Sequence, residues 1–134
     1  MGRIAVILLD THVLIWMTGE PKRLSRAAAQ AIRAAEKKDG IAISAISLWE
    51  LAALFTRGRI RAYGTVEASV QLVTQDVVIK PITAEIAALA TQFPDDYPHD
   101  PADRLIGATA RAHGLRLVTR DSRIAASPLL EAIW

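Results

Sequence analysis

The chain has 134 residues, 51% of them hydrophobic and 22% charged. That balance suits one folded domain with a sizeable core and excludes a disordered segment or a string of domains. There is no cysteine, which rules out disulfides, thiolate metal sites and a cysteine nucleophile, and makes a reducing compartment such as the cytoplasm the expectation. Net charge is only +2, but twelve of the sixteen basic residues are arginine, whose planar fork suits phosphate, so an anionic partner is allowed without being required.

In chain order, Ile4 to Leu9 is short, apolar throughout and rich in branched residues, the pattern of a strand buried on both faces. It is far shorter than the roughly 20 residues that span a bilayer, and Asp10 ends it too early for a signal peptide, so no membrane association is expected. A helix over Thr11 to Met17 follows at once. Leu24, Ala28, Ala31, Ile32 and Ala35 recur at helical spacing, with Ser25 as a start signal and Asp39 and Gly40 as the stop. Ile41 to Ser44 reads as the second strand.

Ser47, Leu48, Trp49 and Glu50 form a capping-box pattern in which the serine caps a helix and the glutamate reaches back, with the helix running to about Arg57. Gly58 to Gly64 is a break. Thr65 then caps a helix that aligns Val66, Val70 and Val73, and Val77 to Lys80 is the third strand, closed by Pro81. Thr83 caps a helix whose Ile86, Leu89, Ala90 and Phe93 face the core, and Pro94 to His99 is a loop. Asp100 as cap, Pro101 at the first position and Gly114 after His113 bound the next helix. Leu115 to Thr119 is the fourth strand, and Pro128 to Trp134 fits a short edge strand or a helical turn equally well. Strands separated by helices predict an α/β fold, a single domain whose central, mainly parallel sheet of four to five strands carries helices on both faces.

Four acids fall at the exits of these apolar runs. Asp10 follows the first strand and Asp121 lies two residues past Thr119, while Glu50 and Asp103 sit in the first turns of helices that begin at the same sheet edge. Ligands of open α/β sheets bind beyond the carboxyl ends of the strands. Each acid alone is equally well read as a helix cap or turn residue. Together they would repel one another by roughly 4 kcal/mol per pair at about 4 Å and an effective dielectric near 20, and a divalent cation removes that cost. Oxygen ligands without cysteine or a spaced histidine pair favour Mg2+ or Mn2+ over zinc. Such ions suit in-line hydrolysis of phosphodiesters.

The residues in these places also resemble a known family. Leu8 to Trp16, LLDTHVLIW, is similar to the opening signature of PIN-domain nucleases, Ile46 to Leu51, ISLWEL, to their second motif, Asp100 to Ile106, DPADRLI, to the third, and Leu117 to Asp121, LVTRD, to the fourth. Within that family the chain most resembles the VapC-type toxins of type II toxin–antitoxin systems. The resemblance implies a Mg2+- or Mn2+-dependent endoribonuclease, with metal ligation and catalysis by Asp10, Glu50, Asp103 and Asp121, and with Thr119, Asp100 and Thr11 as supporting neighbours. It further implies an RNA substrate, a cognate antitoxin and a homodimer. The rival reading is a non-catalytic PIN-fold module that holds RNA or protein, against which the complete acid set argues.

Other residues carry two readings each. Arg104 and Arg120 flank acids and would contact RNA phosphates or pair with those acids. Arg57, Arg59 and Arg61 alternate in one segment and are a solvated face or an RNA surface. Trp16, Trp49 and the run Leu51 to Phe55 are core, or an interface groove of the kind large aromatics anchor. His12 adjoins Asp10 and is a substrate contact or, having no obvious partner, a helix-surface or packing residue; it is not assigned to catalysis.

Overall fold

The computed structural model describes residues 6–134. Among them, five strands form one all-parallel sheet in the order β3-β2-β1-β4-β5, as expected from alternating strands and helices. Strand β1 (Ile7–Leu9), β2 (Ile41–Ser44), β3 (Val78–Lys80), β4 (Arg116–Val118) and β5 (Ala132–Ile133) are all short. The predicted first strand begins at Ile7; Ile4 and Ala5 lie outside the described residues. The tail resolves to β5, which pairs parallel to β4 through Leu117 with Ala132 and Val118 with Ile133.

Ile7, Leu8 and Leu9 are fully buried because helices cover both faces of the sheet, and each such side chain contributes about 1.5–3 kcal/mol relative to exposure. The period of two along β1 divides the core. Ile7 and Leu9 point to a layer built on α1 (Thr11–Gly19), α2 (Arg26–Glu36), α3 (Ile46–Thr56) and α4 (Val66–Thr74), where Val13, Ile32, Leu51 and Phe55 pack. Leu8 points to the opposite layer, where Ile86 of α5 (Ala84–Thr91), Ile106 of α6 (Pro101–His113) and Ile124 of α7 (Ser122–Ala125) meet Phe93 and Tyr97.

The expected helix signals operate at most ends. Ser25, Thr65, Thr83 and Asp100 each accept a backbone N–H as side-chain caps. Gly114 closes α6 at φ 64°, a left-handed position that glycine takes without steric cost. Phe93, placed on the helix face by its spacing, is buried two residues beyond the end of α5. Helix α7 and a 3-10 turn at Pro21–Arg23 were not anticipated, since segments of three or four residues carry no readable period.

The capping box at Ser47 is not formed. Helix α3 starts at Ile46 from Ala45, itself in αR conformation and without a side-chain cap. Ser44 Oγ accepts the Ile46 N–H at 3.2 Å instead, which leaves the Ser47 hydroxyl inside the first turn, fully buried, and free to bond elsewhere.

Candidate metal centre

The sheet order reverses between β1 and β4: the chain passes from β1 outward to β2 and β3, then returns to β4 and β5 on the other side. Such a switch point opens a crevice at the carboxyl ends of the strands. Asp10 leaves β1 there, its N–H bonded to Val118 O at 3.0 Å. Thr119 and Asp121 leave β4 beside it. Asp10, Glu50, Asp100, Asp103 and Asp121 all line one cleft of about 560 Å³, with His12, Trp16 and Arg120 at its side.

Hydrogen bonds set the orientation of two acids. Asp10 Oδ1 accepts the Thr11 N–H at 2.8 Å and its Oδ2 accepts Thr119 Oγ1 at 2.8 Å. Thr119 Oγ1 in turn accepts the Asp121 N–H at 3.1 Å, so one hydroxyl joins the ends of β1 and β4. Glu50 Oε1 accepts Thr11 Oγ1 at 2.5 Å, and Thr11 Oγ1 lies 2.8 Å from Ser47 Oγ. Thr11 and Ser47 are buried, and this pair fixes Glu50 from below. Ser47 is the supporting residue that the sequence reading missed, having been assigned to the cap. Its position one helical turn before Glu50, on the same face, was the available signal.

Asp100 and Asp121 hold the first turns of their helices, Asp100 Oδ1 accepting from Ala102 N at 2.8 Å and Asp121 Oδ1 from Arg123 N at 2.8 Å. Capping and cleft-lining coexist in both, because a carboxylate has more lone pairs than the cap uses. The cap reading and the site reading are therefore not exclusive.

The electrostatics are those of crowded carboxylates. Burial pushes the Asp103 carboxyl up to about 7, assisted by the charges of Asp10, Asp100, Glu50 and Asp121. Burial also raises Glu50, against the Thr11 hydrogen bond and with Asp10 and Asp100 adding to the rise. Asp10 is raised chiefly by burial, partly offset by Thr119 and Thr11. Perturbed acids gathered in a cleft mark a functional site. Among the described residues, the acids do not already close into a set of three or more ligands; they face one cleft from five points of the chain. Their all-oxygen chemistry fits a hard divalent cation, and four partly desolvated carboxylates are the arrangement such a charge would stabilise.

Arg104 and Arg120 part company. Arg104 is engaged by a loop rather than by the acids: its guanidinium donates to the carbonyls of Phe93 at 2.8 Å, Pro94 at 3.0 Å and, through Nε, Pro98 at 3.0 Å. The expected acid pair is not formed among the described residues, because a loop curling around the first turn of α6 presents several carbonyls that a cation with several donors satisfies together. Arg120 does line the cleft, with its guanidinium 5.9 Å from the Trp16 ring centre. Trp16, Leu51 and Phe55 are core residues, whereas Trp49 is 63% exposed.

A switch-point crevice in a small all-parallel α/β domain, ringed by acids from four separate motifs, defines a class of protein, and the family model confirms it: residues 7–128 match the PIN domain, and the chain belongs to that family. It is 48% identical over 118 residues to Ribonuclease VapC22 of Mycobacterium tuberculosis, the match covering 88% of each chain, which sets it among the VapC-type members. A toxin–antitoxin complex from Klebsiella pneumoniae contains a chain of similar fold, with TM-score 0.64 and 25% identity over 92% of this chain and 94% of that one. VapBC2 of Rickettsia felis, solved bound to a DNA fragment from its promoter, gives TM-score 0.72 at 17% identity, covering 95% and 96%. Among the described residues, no helix is long and apolar enough to cross a membrane.

Proposed function

We propose that this chain is an endoribonuclease that hydrolyses RNA phosphodiester bonds with Mg2+ or Mn2+, acts as the toxin of a toxin–antitoxin pair, and is neutralised by a cognate antitoxin. The observation that carries the reading is the gathering of Asp10, Glu50, Asp103 and Asp121 into one cleft at the β1/β4 switch point. Its close relative is a ribonuclease, and a toxin–antitoxin complex shares its fold. A cytoplasmic homodimer is part of the same proposal.

Asp10, Glu50, Asp103 and Asp121 would hold the cation. When bound, it supplies a water of lowered pKa and neutralises charge developing on the phosphoryl oxygens. The chain's own groups do the rest. Thr119 and the Thr11 N–H fix both oxygens of Asp10, and the Thr11–Ser47 pair fixes Glu50. Fixed acids keep the reacting groups in a near-attack arrangement at little entropic cost. Asp103, which retains a proton near neutral pH in the bare cleft, is available to give up that proton as a cation enters.

The test is cleavage of RNA with Mg2+ by the purified chain, compared with Asp10→Asn and Asp121→Asn. Loss of about 100-fold or more in both supports the mechanism, since each removes a ligand of the ion that organises the reaction. Cleavage by both variants as fast as the parent would make it wrong, and growth inhibition on expression should disappear with the same substitutions. The non-catalytic module predicts no cleavage and no thermal stabilisation by Mg2+ or Mn2+.

A further inference from the structure

Arg120 and His12 line the cleft beside its acids, and both lead to Trp16; Arg123 stands 3.9 Å from Asp121 outside that lining. The Trp16 ring is 7% exposed, yet four side chains gather on it. The Arg23 guanidinium stands 4.5 Å from its centre, that of Arg120 5.9 Å, the Trp134 ring 5.8 Å and the His12 ring 6.1 Å. Trp16 is too buried to receive a ligand itself, so its part is to hold the other groups. Trp134 remains 36% exposed, and Arg23, half exposed, meets Glu20 at 3.9 Å across a solvated pair in addition to the Trp16 ring. Such a pair contributes little and yields readily to a better anion.

This cluster is anchored to the cleft rather than loosely beside it. Thr119, which orients Asp10, donates its own N–H to Ile133 O at 3.1 Å, so Trp134 sits one residue beyond a backbone bond to the site. Two guanidiniums and an accessible indole next to an acidic cleft supply what single-stranded nucleic acid needs, cations for phosphate and a flat ring for a base.

We infer that Trp134, Arg23 and Arg120 form a subsite for the nucleotide adjoining the scissile phosphate, with Trp134 stacking on an unpaired base and the two arginines receiving the backbone phosphates. The inference rests on the nuclease reading and specifies where single-stranded substrate leaves the cleft, along the β5 edge. Stacking tolerates any base, so the subsite selects for unpaired RNA rather than for sequence.

Two measurements test it: KM and kcat for cleavage of a labelled random single-stranded RNA oligomer, and anisotropy of that oligomer bound to the Asp10→Asn chain. Trp134→Ala should weaken binding about 5- to 100-fold, the usual range for a stacked base, with the loss falling on KM, and Trp134→Phe should recover most of it. Arg23→Ala and Arg120→Ala should each reduce the slope of log affinity against log salt by about 0.7. Trp49→Ala, exposed but outside the cleft, should behave as the parent. If Trp134→Ala and Arg23→Ala, folded as judged by melting, bind and cleave within about twofold of the parent, the subsite is wrong while the nuclease stands; should Trp134→Ala misfold, the same result for Trp134→Phe together with unchanged salt slopes in both arginine variants overturns it equally. If the parent binds the oligomer through Trp134 but never cuts it, the subsite stands and the nuclease reading falls.

Discussion

Asp103→Asn isolates the charge crowding in the cleft. In the absence of a cation the Asp103 carboxyl is pushed from its ordinary 3.8 up to about 7 by burial and by its acidic neighbours. At about 1.36 kcal/mol per pH unit this corresponds to roughly 4 kcal/mol, but Asp103 is partly exposed, and solvent screening reduces the stability effect to about 1–2 kcal/mol. The folded chain holds this proton more tightly than the unfolded one. Stability without metal is therefore greatest below the unfolded value near 4 and declines as pH rises toward 7. Asparagine has no proton to lose and should remove the decline. In EDTA at pH 8 the variant should melt about 3–8 °C above the parent, given roughly 2–4 °C or more per kcal/mol for a domain of this size. At pH 5, where the folded carboxyl is still protonated and only the unfolded one has ionised, the gain should be distinctly smaller, and it should vanish below about pH 4. Added Mg2+ should stabilise the parent and not the variant. Scanning fluorimetry across pH and metal measures all of this, and an equal gain at pH 5 and pH 8, or none at pH 8, would refute the account.

Thr119→Val should destabilise the chain by about 1–3 kcal/mol in urea unfolding and lower cleavage, because it unpairs Asp10 Oδ2 and the Asp121 N–H together. Ser47→Ala should cost about 1 kcal/mol and reduce kcat more than it raises KM, as Thr11 loses the partner that steadies its bond to Glu50; unchanged kcat would make Ser47 merely structural. Gly107→Ala drives a Cβ into Tyr97 Oη and to 2.9 Å from Phe93 Cε2. It should cost about 1–3 kcal/mol as overpacking, with part recovered in the Gly107→Ala, Tyr97→Phe double variant. Arg104→Met should open the loop over residues 93–98, seen as faster amide exchange there, because five carbonyl contacts of the guanidinium vanish.

The parts of this fold that were legible in the sequence are those where one physical signal dominates. Buried parallel strands advertise themselves as unbroken apolar runs, and Asp100, Pro101 and Gly114 mark both ends of α6 because cap geometry depends on residue type. Glu50 and Ser47 misled because the same spacing serves two purposes. A serine three residues before a glutamate makes a capping box only if its hydroxyl meets backbone N–H, and here Thr11, distant by 36 positions, takes it instead. No local pattern encodes that partner. Arg104 misled for the related reason that adjacency to an acid in sequence says little on a helix, where its side chain projects toward the preceding loop. The tail could not be decided beforehand because two residues of strand contain no period; the exposed edge of β4 decided it.

The bond between Thr119 and Asp10 spans 109 positions, and β4, which positions Thr119, pairs directly with β1. At a synthesis rate of about 5–20 residues per second, Asp10 emerges roughly 5–20 seconds before its partner. Until then β1 lacks the neighbour that carries Thr119 and Asp121, and the cleft lacks that wall. A chain still being translated thus has no assembled acid centre, and the interval before β4 docks is set by how far apart the topology places the two strands in sequence.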